Sequence, residues 1–212
     1  MVVKTATAGM KGFDVDSIMF PSECAYFIQA GYNFCIRYLP RNSSLIPGNL
    51  GVLEMNDILE SGLSLGVVQH CPEPGWEPSA ELGELYGQYA GTYAKQIGLP
   101  QGMNIFLDLE TPALNASPQS VIEYANSWYD AIAAAGYSPG VYLGYGLPLS
   151  PQQLHDDLKF VHYWRAYNGP DLAIRGYQIV QSTAEVLKGI SFDPNIVNAD
   201  LRGGLPMFLS PS

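Results

Sequence analysis

Two carboxylates stand two residues apart at the end of an apolar run, Met103-Asn104-Ile105-Phe106-Leu107-Asp108-Leu109-Glu110. The run has the composition of a buried β-strand, in which alternate side chains share a face. Asp108 and Glu110 therefore look into one space, with Asn104 and Phe106 behind them. Burying an unpaired carboxylate is costly or forces it to take up a proton. Crowding two into one cleft splits their pKa values, so that one holds a proton while the other stays charged, and acid-catalysed cleavage of a glycosidic bond needs that division. Glu110, nearer the loop, is the expected proton donor. Asp108, deeper and flanked by polar neighbours, is expected to stay ionised and to stabilise an oxocarbenium-like state or orient a substrate amide. Acids neutralised by an arginine, Arg37 or Arg165, would look the same here, so the other strands decide.

Those strands repeat a pattern. Helix, glycine, linking residues and strand follow one another at Ala30-Gly31-Tyr32, Ser61-Gly62-Leu63, Ile97-Gly98-Leu99 and Ala135-Gly136-Tyr137. Helices are expected over 21–30 (capped by Ser22), 50–61, 79–97 (with Leu82, Leu85, Tyr86, Tyr89, Tyr93 and Ile97 as its apolar face), 118–135 and 151–159. Strands are expected over 11–16, 34–39, 64–70, 103–110, 139–145, 160–167, 176–181 and 190–195, with loops over 40–49 and 71–78. Near-continuous apolar strands alternating with helices signal parallel β-structure covered by helices. Eight such strands without a glycine-rich phosphate loop after the first fit a closed (β/α)8 barrel better than an open sheet. Its last helices are expected to be abbreviated or missing, because the 212 residues form one short domain, 1–212.

Composition narrows the partners. A formal charge of −10 without a Lys/Arg cluster repels nucleic acid and acidic membrane faces. No apolar run is long enough to span a membrane, and the opening residues lack the long apolar region of a secretory signal. Cys24, Cys35 and Cys71 form no C-x-x-C pair and are expected as free, buried thiols; the scattered His70, His155 and His162 suggest no metal site, and no cofactor is expected.

In such a barrel the C-terminal strand ends form the site. The residues expected there are Asp14 and Asp16, Arg37, Gln69 or His70, Asp108 and Glu110, Tyr142 or Tyr145, Trp164, Tyr167, Gln181, Asp193 and Asn195. Acids, amides and aromatic rings suit a glycan, whose C–H faces meet the rings and whose hydroxyls meet the polar groups. Tyr142, Tyr145, Trp164, Gln181 and Asn195 are expected to contact substrate. Asp16 is expected to serve a turn, Trp76 to present a sugar platform or lock its loop, and Trp128 to lie in the core.

Gly12-Phe13-Asp14-Val15-Asp16, Phe106-Leu107-Asp108-Leu109-Glu110, Trp164-Arg165-Ala166-Tyr167, Gln178-Ile179-Val180-Gln181 and Asp193-Pro194-Asn195 arrive in an order that resembles the glycoside hydrolase family 25 lysozymes. The chain looks more closely like the DUF1906 group of glycoside hydrolase-like domains. The resemblance covers nearly the whole chain. It implies Glu110 as acid, Asp108 as its partner, and Asp14 and Asp193 as further acids, with Asp200 a rival for the last place. It further implies hydrolysis of the β-1,4 bond between N-acetylmuramic acid and N-acetylglucosamine, with peptidoglycan strands as the partner and the cell wall or periplasm as the place of action, reached without a visible signal or through phage-type lysis. The alternatives are a wall-glycan-binding module without turnover and a glycosidase for another N-acetylated glycan.

Overall fold

The computed structural model describes residues 1–41 and 48–211. The middle of the expected 40–49 loop lies outside the described residues. In chain order the elements are β1 (Val2–Thr5), β2 (Lys11–Asp14), α1 (Pro21–Gln29), β3 (Phe34–Leu39), α2 (Val52–Glu60), β4 (Ser64–Gln69), α3 (Ala80–Gln96) and β5 (Asn104–Leu109). They continue with α4 (Pro118–Ala134), β6 (Ser138–Leu143), α5 (Pro151–Asp156), β7 (His162–Arg165), β8 (Ile179–Gln181), β9 (Glu185–Leu187), β10 (Ile190–Val197) and β11 (Met207–Ser210).

Strands β2 to β8 pair in sequence, all parallel, and β10 closes the ring between β8 and β2. The result is the short TIM-like barrel expected, with one change: β10 runs antiparallel to both neighbours. Residues 182–189 are fewer than the dozen or so that a parallel crossover needs. The chain instead turns at the barrel mouth through the β9–β10 hairpin, whose tip, Lys188 and Gly189, has φ of 54° and 87°, and runs back down.

The repeated glycines end their helices as the spacing requires, with φ of 90°, 103°, 80° and 92° at Gly31, Gly62, Gly98 and Gly136. Ser79, Ser117 and Ser150 cap α3, α4 and α5. Ser22 does not cap α1: the N-cap is Phe20, whose N–H is taken by the Glu23 carboxylate at 2.9 Å, and Ser22 falls in the first turn. Of the expected face of α3, Leu82, Tyr86, Tyr93 and Ile97 do pack on the core, but Leu85 is exposed and the fully buried stripe within the helix is Gly83, Gly87, Ala90, Gly91 and Ala94. Close approach to α4 is the cause. A Cβ on Gly87 would stand 2.7 Å from the Ala131 Cβ, one on Gly91 2.7 Å from the Ala135 Cβ, and one on Gly83 would run into the Tyr124 carbonyl.

The barrel interior holds Phe34, Ile36, Val68, Phe106, Trp164, Ile179, Val197 and Phe208, and a separate larger core fills the space under the helices. Large rings fit because inward positions opposite them are glycine: a Cβ on Gly140 would meet the Phe106 ring at 2.5 Å, and Gly12 faces Phe34 in the same way. Besides β9, two more strands without an expected counterpart, β1 and β11, pair antiparallel, and Leu209 of β11 also meets Leu65 of β4. Phe208 closes the lower end of the interior against Phe34, ring centres 4.8 Å apart.

Candidate active site

The inward face of each strand can be read from the pairing register, because residues directly opposite in a sheet point the same way. Asp108 lies opposite Tyr142 and Asp14 opposite both Ile36 and Asp193, so these side chains share the interior. One strand step further, Tyr38 and His70 join them, their rings stacked at 4.4 Å. Asp14, Asp108, Glu110 and Asp193 thus come to the same mouth. Two clefts open there, of about 480 Å³ over Asp108 and Glu110 and about 630 Å³ over Asp14 and Asp193, and both are lined by Tyr38 and Asp16.

Asp14 is buried and accepts three hydrogen bonds: Asn195 Nδ2 at 2.6 Å and Gln181 Nε2 at 3.0 Å on Oδ1, and the Tyr38 hydroxyl at 3.1 Å on Oδ2. Burial outweighs these donors and pushes its carboxyl from 3.8 to about 7. Asp108 accepts one N–H, from Cys71 at 3.2 Å, and its buried Oδ1 has no partner. Burial first and the Glu110 charge second hold it well above the usual carboxylate range. Without a ligand, desolvation thus drives Asp108 toward the neutral form, against the expectation that polar neighbours keep it ionised.

Glu110 is half-buried at the lip, and burial raises it against a backbone hydrogen bond from Tyr145. Its position is clamped from both sides. Its carbonyl accepts the Trp76 indole N–H at 2.9 Å and the Cys71 thiol at 3.3 Å, and its carboxylate lies over Gly144, where any Cβ would collide with it. The next residue, Thr111, takes φ of 47°, a strained value for a non-glycine residue, and is held by hydrogen bonds to Tyr145 and Gly75. Trp76, tilted against Tyr124 with ring centres 4.5 Å apart, is a loop lock rather than a platform. Asp193 is raised by burial.

Several expected site residues sit elsewhere. Arg37 points outward between barrel and helices, paired with Glu54 at 2.5 Å, and Arg165 is taken by the Gly169 carbonyl and Asp171, so neither touches the acid pair. Gln69 also faces out, where it donates to Pro40, Arg41 and Tyr86 carbonyls and accepts the Trp128 indole N–H at 2.6 Å. Its neighbour His70 is the one at the mouth, 3.4 Å from the exposed Asp16. Trp164 lies beneath the floor, 1% exposed, giving its indole N–H to Asn195 at 2.8 Å. That burial corrects its expected contact with substrate: it acts on the mouth through Asn195 and Asp14. Gln181 and Asn195 likewise turn their amides to Asp14, and Tyr142 donates to Gln181 at 3.0 Å. Tyr145 and Tyr167 are exposed.

Asp200 is no rival to Asp193. Because β10 runs downward, Asp200 lies past its far end. Burial raises its pKa, but donors from Gln178, Gly204, Arg175 and Arg202 outweigh that and bring it below the usual range. Sequence reading missed Tyr38, Arg41, Cys71 and Gly144 at the mouth. A signal exists for Tyr38, which stands at the end of its strand beside Arg37, with the opposite parity to the one expected to face inward.

A sequence profile described as Rv2525c-like, glycoside hydrolase-like domain matches residues 25–196. Among curated proteins none matches the sequence. Solved structures share the fold. The Tat-secreted protein Rv2525c of Mycobacterium tuberculosis, in complex with L-tartrate, superposes with a TM-score of 0.69 at 15% identity over 94% of this chain and 99% of its own. A family 25 glycosyl hydrolase from Bacillus anthracis gives 0.61 at 14% identity over 90% and 89%. The modular autolysin LytC from Streptococcus pneumoniae, in complex with a synthetic peptidoglycan ligand, gives 0.63 at 17% identity over 89% of this chain and 46% of that one.

Proposed function

We propose, for a chain that belongs to the Rv2525c-like, glycoside hydrolase-like domain family, that it is a peptidoglycan hydrolase of the muramidase type. In this reading it cleaves the β-1,4 bond between N-acetylmuramic acid and N-acetylglucosamine. The observation that carries the reading is the gathering of Asp14, Asp108, Glu110 and Asp193 at one mouth, each with its carboxyl held above the ordinary range. Acids placed this way can hold a proton near neutral pH, which a general acid must do.

Glu110 at the lip is the proton donor to the leaving oxygen. Asp108, which lines the cleft, accepts the amide N–H of the sugar's N-acetyl group. That bond favours the ionised form of Asp108, so the proton of the pair settles on Glu110 as substrate arrives. Asp108 then carries the negative charge that faces the developing oxocarbenium-like centre. Asp14 and Asp193 line the adjoining cleft, and the exposed Tyr145 meets a sugar face at the rim. The place of action is the cell wall or periplasm, in line with the Tat-secreted protein Rv2525c and the autolysin LytC, which share the fold.

Purified protein incubated with peptidoglycan should clear turbidity and release muropeptides with new reducing ends. Glu110→Gln should slow release by roughly 10²–10⁴-fold, the range of a lost general acid. Binding without reducing-end release, unchanged by the substitution, would replace the reading with a wall-glycan-binding module. Release from chitin but not from peptidoglycan would move it to another N-acetylated glycan.

A further inference from the structure

Arg41 stands at the end of β3 and lines the cleft over Asp108 and Glu110. Its place is prebuilt: the buried Gln69 amide donates to the carbonyls of Pro40 and Arg41, each at 3.1 Å, and is itself held by the Trp128 indole. The head group is half used. Nη2 donates to Glu73 at 3.0 Å, while the buried Nε has no partner. Nε–H and Nη2–H form one edge of the guanidinium, the fork that fits both oxygens of a carboxylate. Glu73 fills only one prong, and its side chain is 84% exposed on the rim, where an ion pair contributes little and can open to water.

The other arginines are occupied within the fold. Arg37 serves Glu54 and the carbonyls of Val15 and Gly48, Arg165 serves Gly169 and Asp171, Arg175 serves Asp200, and Arg202 lies 3.1 Å from His155. Apart from His70, Arg41 is the base among the described lining residues of this cleft. We propose that Arg41 is a specificity residue that receives, on this fork, a carboxylate carried by the glycan, so that the cleft selects an acidic saccharide over a neutral one. This rests on reading the cleft as a glycan site. Nε is closed to solvent while Glu73 is in place, so Glu73 must first move out and uncover it before the ligand takes Nε and Nη2 together.

The test measures binding in the Glu110→Gln background, so that turnover does not interfere. Three probes of equal length are compared: a neutral N-acetylglucosamine oligomer, an alternating oligomer whose muramic residues carry free lactyl carboxylates, and the same oligomer with peptide stems attached. Adding Arg41→Gln should lower the ratio of acidic to neutral affinity by roughly ten- to a hundredfold, the worth of a charge-assisted pair. Arg41→Lys should restore part of that ratio, because a point charge lacks the fork. Dependence confined to the lactyl probe assigns the carboxylate to the sugar, and dependence confined to the stem-bearing probe assigns it to the peptide. Equal loss for neutral and acidic probes, or no loss, overturns the proposal, and the neutral probe reports whether the variant is folded. Failure of the unmutated chain to cleave any glycan would instead remove the hydrolase reading and leave this binding comparison intact.

Discussion

Replacing Asp14 by asparagine should make the protein more stable, and more so as pH rises. The Asp14 carboxyl is buried at the barrel mouth, and its proton is held to about 7 against an ordinary 3.8. A carboxyl raised in this way supports the folded state at low pH, and that support is lost as pH climbs from 3.8 through 7, because the unfolded chain ionises freely while the folded one resists. A difference of about 3 pH units at 1.36 kcal/mol each amounts to about 4 kcal/mol once pH exceeds 7. Asparagine has no such charge to bury. Its oxygen can keep the donors from Asn195 and Gln181, and its amide can face the Tyr38 hydroxyl, which turns to accept. Urea unfolding of wild type and Asp14→Asn at pH 5, 6.5 and 8 measures this directly. The stability gap should widen by about 3 kcal/mol from pH 5 to 8, following the part of the titration that lies in that window. A gap that stays flat across these pH values would refute the reasoning, since Asp14 would then ionise as freely in the barrel as in water.

Gly83→Ala should destabilise, although alanine favours a helix by about 1 kcal/mol, because the added Cβ meets the Tyr124 backbone; a loss of about 1–3 kcal/mol in urea unfolding is expected, and a gain would show that α3 and α4 can move apart. Asp200→Ala should cost about 3–5 kcal/mol of stability by stranding Arg175, while leaving the pH dependence of the proposed glycan cleavage in place; a shifted pH profile would tie the lower end of the barrel to the chemistry.

Much of the fold was legible because its signals are local. Glycines after helices must take a left-handed backbone, and prolines and serines at helix starts supply fixed φ and caps, so the helix-to-strand punctuation could be read residue by residue. The acid pair was legible for a similar reason: alternation within one strand places Asp108 and Glu110 together whatever surrounds them. The face of α3 is legible only in part: Leu82, Tyr86, Tyr93 and Ile97 pack on the core, but the helix meets its neighbour α4 through glycines. Large apolar side chains advertise burial, and a close backbone approach does not. Arg37 is expected at the mouth, and Gln69 is not separable there from His70, for a related reason. In β3 and β4 both faces are buried, so composition does not reveal which parity looks inward, and Tyr38 and His70 lie one residue away.

Local chain chemistry alone therefore determined the alternation of strand and helix, the place of each helix end and the shared direction of Asp108 and Glu110. Only the closed barrel decided that Asp193 meets Asp14, since that depends on β10 running backward to pair with β2 across most of the sequence. It also decided how far each carboxyl is removed from water. Desolvation is a property of everything packed around a group, and the chain on either side of Asp14 or Asp108 carries no record of it.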